Sequence, residues 1–231
     1  MKKIGIVGGL GPESTVDYYK LIIGAFKGKG SSFDYPEIVI YSANLSEFMQ
    51  FLEAGKWEEM VEWLLDMVRA LARAGAEFAA IGSNTPHVVF DELSSRSPLP
   101  MLSIVEATCA RAQAMGLKRL GLLGTAFTMK SDFYQKVFRQ KGMSLVVPEE
   151  RDRKLIQDRL FSEIELGIIK DSTRQELLSV VARMIERHSI DSIVLGCTEL
   201  PLILDRSDYA VPFLNTTAIH AQAIARYCLG D

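Results

Sequence analysis

Two short runs carry the residue types that could do chemistry: Gly82-Ser83-Asn84-Thr85-Pro86-His87 and Gly196-Cys197-Thr198-Glu199. Each sets a small nucleophile-type residue directly after a glycine and ahead of further polar residues. Each also follows a short apolar run, Glu77–Ile81 or Ser192–Leu195, that reads as a buried strand. In open α/β sheets, ligands sit beyond the carboxyl ends of the strands, which is where both runs fall. A thiol placed there, before a helix N-terminus, gains from the dipole and free N–H groups, and its pKa drops. Cys197 is then a base or nucleophile near neutral pH. A buried cysteine can also be a small hydrophobe, but that accounts less well for the Gly-Cys-Thr-Glu setting. Ser83 is weaker alone, because serine at a strand-to-helix turn is often only a cap.

Rival chemistries fit less well. A serine hydrolase needs an activating histidine. His87, four residues after Ser83, reads as a residue that orients the loop, His188 as an ordinary helix C-terminal histidine, and His220 as lining or packing in a cleft. The start, Gly8-Gly9-Leu10-Gly11, departs from the dinucleotide fingerprint. Ser14 stands where its third glycine would, and Ser42-Ala43-Asn44 ends the second strand without an acidic residue for a ribose. Backbone N–H groups at this turn read instead as a carboxylate site. Cys109 and Cys228 read as packing residues, Trp57 and Trp63 as core or interface residues, and Glu149–Lys154 as a solvated helix entrance. No metal ligands cluster in sequence. The three cysteines form no CxxC and are odd in number, which fits a reducing compartment and no disulfide framework.

The elements that position these runs alternate strand and helix, as in a parallel sheet covered on both faces. Strands are expected at Lys3–Val7, Ile38–Tyr41, Glu77–Ile81, Arg119–Leu123, Ser144–Val147, Ser192–Leu195 and Val211–Leu214. Helices are expected after Pro12, with Val16, Tyr19, Ile23 and Phe26 as its apolar face, and at Trp57–Ala74, from Leu102 to Met115, and at Ser131–Gln140. Further helices are expected at about 150–166, 173–188 and 216–229, and Gly28–Ser32 reads as a loop. The series repeats, with Ser83 and Cys197 at matching points about half a chain apart. That pattern gives two pseudosymmetric doubly wound α/β lobes, 1–98 plus 210–231 and 99–209, with the active site in the cleft between them. The 231 residues suffice for both cores, and 48% hydrophobic with 24% charged residues is the balance of a folded protein. A net charge of −3, with Lys and Arg scattered among Asp and Glu, argues against nucleic-acid binding. No apolar run approaches 18 residues, so no membrane span is expected. The opening Met-Lys-Lys-Ile-Gly-Ile-Val is cut off by glycines too early for a signal peptide, and the protein reads as cytoplasmic.

At these motifs the sequence resembles the aspartate/glutamate racemase family, enzymes that work without pyridoxal phosphate. The resemblance spans the chain: Gly8-Gly9-Leu10-Gly11-Pro12-Glu13-Ser14-Thr15, then Ser83-Asn84-Thr85-Pro86-His87, then Gly196-Cys197-Thr198-Glu199. It implies a two-lobed homodimer acting on a small amino-acid substrate, with no cofactor and no metal. In that family one cysteine from each lobe addresses each face of the α-carbon, one removing and the other delivering a proton. By resemblance Cys197 is the second-lobe base, and Asn84, Thr85, Thr125 and Thr198 hold the substrate's carboxylate and amino group, with Leu10 and Gly11 nearby.

Two departures follow. Position 83 carries Ser83 where the family has its first-lobe cysteine, and a hydroxyl is a far poorer base, so the reaction is expected to be one-sided. Aspartate-specific relatives place basic residues in stretches matching Asn44–Met49 and Ile164–Glu165, which here hold no Arg or Lys. The alternatives are a single-cysteine decarboxylase or cis–trans isomerase of a dicarboxylate, and an amino-acid binder that lost turnover.

Overall fold

The computed structural model describes residues 1–27, 33–204 and 211–230, so the expected loop Gly28–Ser32 lies outside the described residues. In chain order come β1 (Ile4–Gly8), α1 (Pro12–Phe26), β2 (Ile38–Ser42), α2 (Leu45–Ala54), α3 (Trp57–Arg73), β3 (Phe78–Ile81), a 3-10 turn at Thr85–Val89, α4 (Phe90–Arg96), β4 (Met101–Leu102) and α5 (Ile104–Ala114). The second series runs β5 (Arg119–Leu123), α6 (Ala126–Lys130), α7 (Phe133–Gln140), β6 (Ser144–Val146) and α8 (Glu150–Ser162). A 3-10 turn at Ile164–Leu166 follows, then α9 (Asp171–His188), β7 (Ser192–Leu195), a 3-10 turn at Leu200–Leu202, β8 (Phe213–Asn215) and α10 (Thr216–Leu229).

The strands form two parallel four-stranded sheets, ordered β2-β1-β3-β4 and β6-β5-β7-β8. The two orders are the same permutation, so β3 and β7 hold equivalent places. The chain divides into two compact units, Met1–Ala107 with Thr217–Asp231, and Thr108–Thr216. Divisions at 107/108 and 216/217 replace the expected 98/99 and 209/210. Two pairings account for the shift. The short β4 pairs with β3 and so stays with the first sheet, while β8 pairs with β7 and stays with the second. Only α10, not the strand before it, returns to the first unit.

Parallel strands covered on both faces carry nearly continuous apolar residues, and alternation decides which face each one serves. In the first unit Ile4, Ile6, Phe78 and Ala80 pack with Tyr18, Ile22 and Phe26 of α1 and with Ala221, Ile224 and Ala225 of α10. Val7, Ala79 and Ile81 face Met60, Val61, Leu64, Leu65, Val68 and Leu71 of α3. In the second unit Leu123, Ile193 and Leu195 pack with Ile156 and Leu160 of α8 and with Leu177, Val181 and Met184 of α9.

The buried face of α1 is Ser14, Thr15, Tyr18, Ile22 and Phe26, so only Phe26 of the expected stripe lies on it. Val16 and Tyr19 are 48% and 49% exposed. Apolar residues lie on both sides of this helix, and two small hydroxyl residues win the inner side because they bond to loop carbonyls. α2 was not foreseen. It starts at an Asn44 cap whose side chain accepts from the Ser46 N–H, and it ends at Gly55 in a left-handed conformation.

Candidate active site

In the first unit the expected site residues gather at the carboxyl ends of the neighbouring strands β1 and β3. Leu10 and Gly11 follow β1, and Ser83, Asn84 and Thr85 follow β3. Two residues of α1 stitch these ends together. Ser14 Oγ donates to the Gly11 carbonyl at 2.8 Å and to the Gly82 carbonyl at 3.3 Å. Thr15 Oγ1 accepts the Gly9 N–H at 2.8 Å and donates to the Gly11 carbonyl at 3.2 Å. Gly9 has φ +79°, and a Cβ there would lie 2.4 Å from the Ala43 carbonyl oxygen, so only glycine fits. The Gly9 N–H is therefore spent within the turn instead of facing an anion.

Ser83, Asn84 and His87 are buried. His87 Nε2 accepts the Ile104 N–H at 3.2 Å, which ties the loop to the start of α5. Burial lowers the His87 pKa to about 4, against the Ser83 and Asn84 carbonyls, which raise it. His220 Nε2 lies 3.1 Å from the Leu102 carbonyl, which can only accept, so Nε2 carries the proton and Tyr18 donates to Nδ1 at 2.8 Å. Burial, then His87, lowers its pKa to about 3. Both rings are neutral and structural at pH 7.

The folded pKa values lie below the unfolded value near 6.5, so the unfolded chain binds protons first as pH falls. Stability should be full above pH ~6.5 and should drop by about 2 kcal/mol per histidine by pH 5. Urea midpoints at pH 7.5 and pH 5 read this. A midpoint unchanged between them would contradict neutral burial.

The second unit repeats the arrangement at the neighbouring ends of β5 and β7. The Gly196 N–H donates to the Leu123 carbonyl at 2.6 Å, and a Cβ on Gly124 would lie 3.0 Å from the Gly196 oxygen, so the two ends touch backbone to backbone. Thr125 caps α6, its hydroxyl accepting the Thr128 N–H and donating to Thr128 Oγ1, both at 3.2 Å. Cys197, Thr198 and Glu199 are buried after β7. The thiol donates to Glu199 Oε2 at 3.1 Å, and the Thr198 hydroxyl donates to the same oxygen at 2.7 Å.

One expectation is reversed here. The Cys197 thiol is not made more acidic. Burial first, then the Glu199 charge, pushes its pKa well above the ordinary thiol value, and only the Glu199 backbone works the other way. A single 3-10 turn at Leu200–Leu202 follows Cys197, so no long helix supplies a dipole. Glu165 adds a further acidic group. Its pKa is pushed up to about 7, first by burial and then by the Glu199 charge. It rides on the 3-10 turn after α8, which is held by Glu163. That carboxylate accepts from Lys170 at 3.1 Å, from Arg159 at 3.4 Å and from the Thr173 hydroxyl.

Cys197 Sγ and one carboxylate oxygen each from Glu165 and Glu199 lie within 4.8 Å of one another, the one such grouping among the described residues. Two carboxylates and a thiol without histidine differ from the ligand sets of structural and catalytic zinc, and no metal is assigned to them.

Residues 7–224 match the family described as Asp/Glu/Hydantoin racemase. The chain belongs to that family. It thereby joins the amino-acid racemases, isomerases that work without pyridoxal phosphate. It is 29% identical over 227 residues to the broad specificity amino-acid racemase RacX of Bacillus subtilis (strain 168), covering 95% of each chain. Among solved structures, an aspartate racemase homologue from Pyrococcus horikoshii OT3 is 37% identical with a TM-score of 0.88, over 99% of this chain and 100% of that one. Glutamate racemase from Aquifex pyrophilus shares the fold at 17% identity and TM-score 0.66, over 97% of this chain and 83% of that one.

Sequence reasoning missed four residues of these racemase loops: Ser14, Thr15, Glu165 and Glu199. Ser14 reads in sequence as a failed glycine position, Thr15 only as a motif member, and so does Glu199. Its place two residues after Cys197 was the available signal.

Proposed function

We propose that the protein racemises a free amino acid, with Cys197 exchanging the α-proton on one face and Ser83 serving the other. The observation that carries this reading is the equivalence of β3 and β7 in two identically ordered sheets, which gives Ser83 and Cys197 corresponding positions. Inversion needs a proton-transfer group on each face of the α-carbon, and a duplicated α/β unit offers one per copy.

In the Cys197 direction the sulfur takes the α-proton, and the C–H electron pair passes into the substrate as a carbanion conjugated with its carboxylate. A proton returned by Cys197 regenerates the starting enantiomer. A proton from the Ser83 hydroxyl, or from water beside it, gives the mirror image. The buried Asn84, with Thr85, Leu10 and Gly11 around the Ser14 bridge, holds the carboxylate. Thr198 has committed its proton to Glu199 and has only lone pairs left, so it suits the substrate ammonium. Thr125 has spent its hydroxyl on the α6 cap and acts by fixing the loop.

The chemistry asks for no cofactor. After dialysis against a chelator, the protein should still exchange α-protons when incubated with a panel of L- and D-amino acids in deuterated water, read by proton NMR. Exchange that vanished and returned with added metal would refute this reading, as would no exchange with any amino acid.

The assembly proposed is a homodimer. Val16 and Tyr19 on α1, and Ile40 and Tyr41 on the edge strand β2, leave 38–49% of their surface exposed, apolar surface that a second copy would cover. A monomer by sedimentation at micromolar concentration would contradict it. A cytosolic location, read by cell fractionation, fits three cysteines that form no disulfide among the described residues.

A further inference from the structure

Thr217 is the second residue of α10, only 3% exposed, and its hydroxyl has no hydrogen-bond partner among the described residues. Burying an unpaired hydroxyl works against folding, so its presence here calls for a partner from outside the chain. Packing does not ask for it. β4 and β8 hold equivalent places in the two sheets, and the second residue of the helix after β4 is Val105, a side chain of the same shape that is 2% exposed. Thr217 differs from it by a hydroxyl in place of a methyl. The strand register then places that hydroxyl. β7 and β8 pair in parallel with Leu195 opposite Asn215, and Cys197 and Thr217 each follow two residues later, past neighbouring strand ends. Thr217 also lies in the first turn of a 14-residue helix, where the dipole is positive and its own N–H has no acceptor within the helix. A neutral donor in that position suits an anion.

We infer that Thr217 is a catalytic hydrogen-bond donor, its hydroxyl holding a carboxylate oxygen of the substrate while the carbanion exists. This rests on Cys197 being the α-proton base. When the sulfur removes the α-proton, the C–H electron pair spreads onto the carboxylate, and its oxygens carry negative charge that the bound amino acid lacked. A donor fixed on one of them binds the transition state more tightly than the ground state, which is the condition for raising kcat. The hydroxyl keeps its proton throughout, so no bond to hydrogen breaks at Thr217 Oγ1. A carboxylate offers about four lone-pair sites over two oxygens, so Asn84 and Thr217 can serve the same group without competing. The unpaired hydroxyl is then a cost in folding that is recovered only when substrate is bound.

Thr217→Val keeps the shape and removes only the hydroxyl. Deuterium exchange of the Cys197-side enantiomer should fall about 10- to 100-fold in kcat, at or below the usual weight of one oxyanion donor, while KM moves less than about threefold. The urea midpoint should stay the same or rise, because an unpaired hydroxyl has left the interior. Rate lost without stability lost separates a donor to substrate from a packing residue. Thr217→Ser restores the hydroxyl and should recover kcat to within about fivefold of the parent. Thr217→Ala also lacks the hydroxyl and carries the test if the valine variant does not fold. Exchange within about threefold of the parent in Thr217→Val would overturn the inference and leave the hydroxyl to a buried water. So would a kcat loss that Thr217→Ser shares in full, or one that comes with a lowered urea midpoint. If Cys197→Ala is inactive while Thr217→Val exchanges normally, the Thr217 assignment alone is wrong. If Cys197→Ala keeps exchanging, the base assignment falls and this inference with it.

Discussion

Cys197→Ala should lose α-proton exchange by about three orders of magnitude or more while keeping its fold, because nucleophile-type residues that act as the primary base leave only binding effects behind. The fold should survive on size grounds. Cys197 sits at the edge of the second unit's core with Leu195 and Leu200, and deleting one buried sulfur atom costs on the order of 1 kcal/mol. The hydrogen bond lost to Glu199 is shared with Thr198, so the carboxylate keeps a partner. Exchange would be followed by NMR and the fold by circular dichroism and urea midpoint. Folded protein exchanging within tenfold of the parent would remove Cys197 from the chemistry.

Ser83→Cys is the second large effect, and it is a gain. An unperturbed thiol titrates near pH ~8.5, whereas a serine hydroxyl has no comparable ionisation, so Ser83 cannot begin the reaction from its own face. The enantiomer presenting its proton to Ser83 should therefore exchange slowly in the native protein. A cysteine there should raise that rate about 10- to 100-fold, as a thiol replaces a hydroxyl that does not ionise near neutral pH. The substitution adds little volume in a loop held by His87, and the fast direction should change by less than a few-fold. No rise on the slow side, in a protein whose fast side is intact, would show that position 83 does not face the α-carbon.

Much of the fold was legible because the central strands of both sheets are buried on two faces. Ranges such as Arg119–Leu123 and Ser192–Leu195 hold an apolar run after one polar residue and stop at a glycine, and they match the observed strands end for end. Lobe membership was less visible. Nothing local in Val211–Leu214 says which sheet it will join; β8 pairs with β7 through long-range hydrogen bonding. The α1 face was misjudged for a related reason, since burial of Ser14 and Thr15 depends on carbonyls that are distant or turned in space. At the site, the strand-end positions of Ser83 and Cys197 could be read from residue order. The state of the thiol could not. It depends on the direction of the Glu199 side chain and on Glu165 arriving from a separate turn, and both reverse the dipole argument that the sequence favours.

The central claim is a one-sided exchange driven by Cys197, and one measurement tests it most directly. Deuterium wash-in at the α-carbon is followed separately from the pure L and pure D forms of the best substrate in the unaltered protein. The expected result is rapid exchange from one enantiomer, with the other at least about tenfold slower, because its face meets a hydroxyl and not a thiol. Equal initial rates from the two enantiomers would contradict the account.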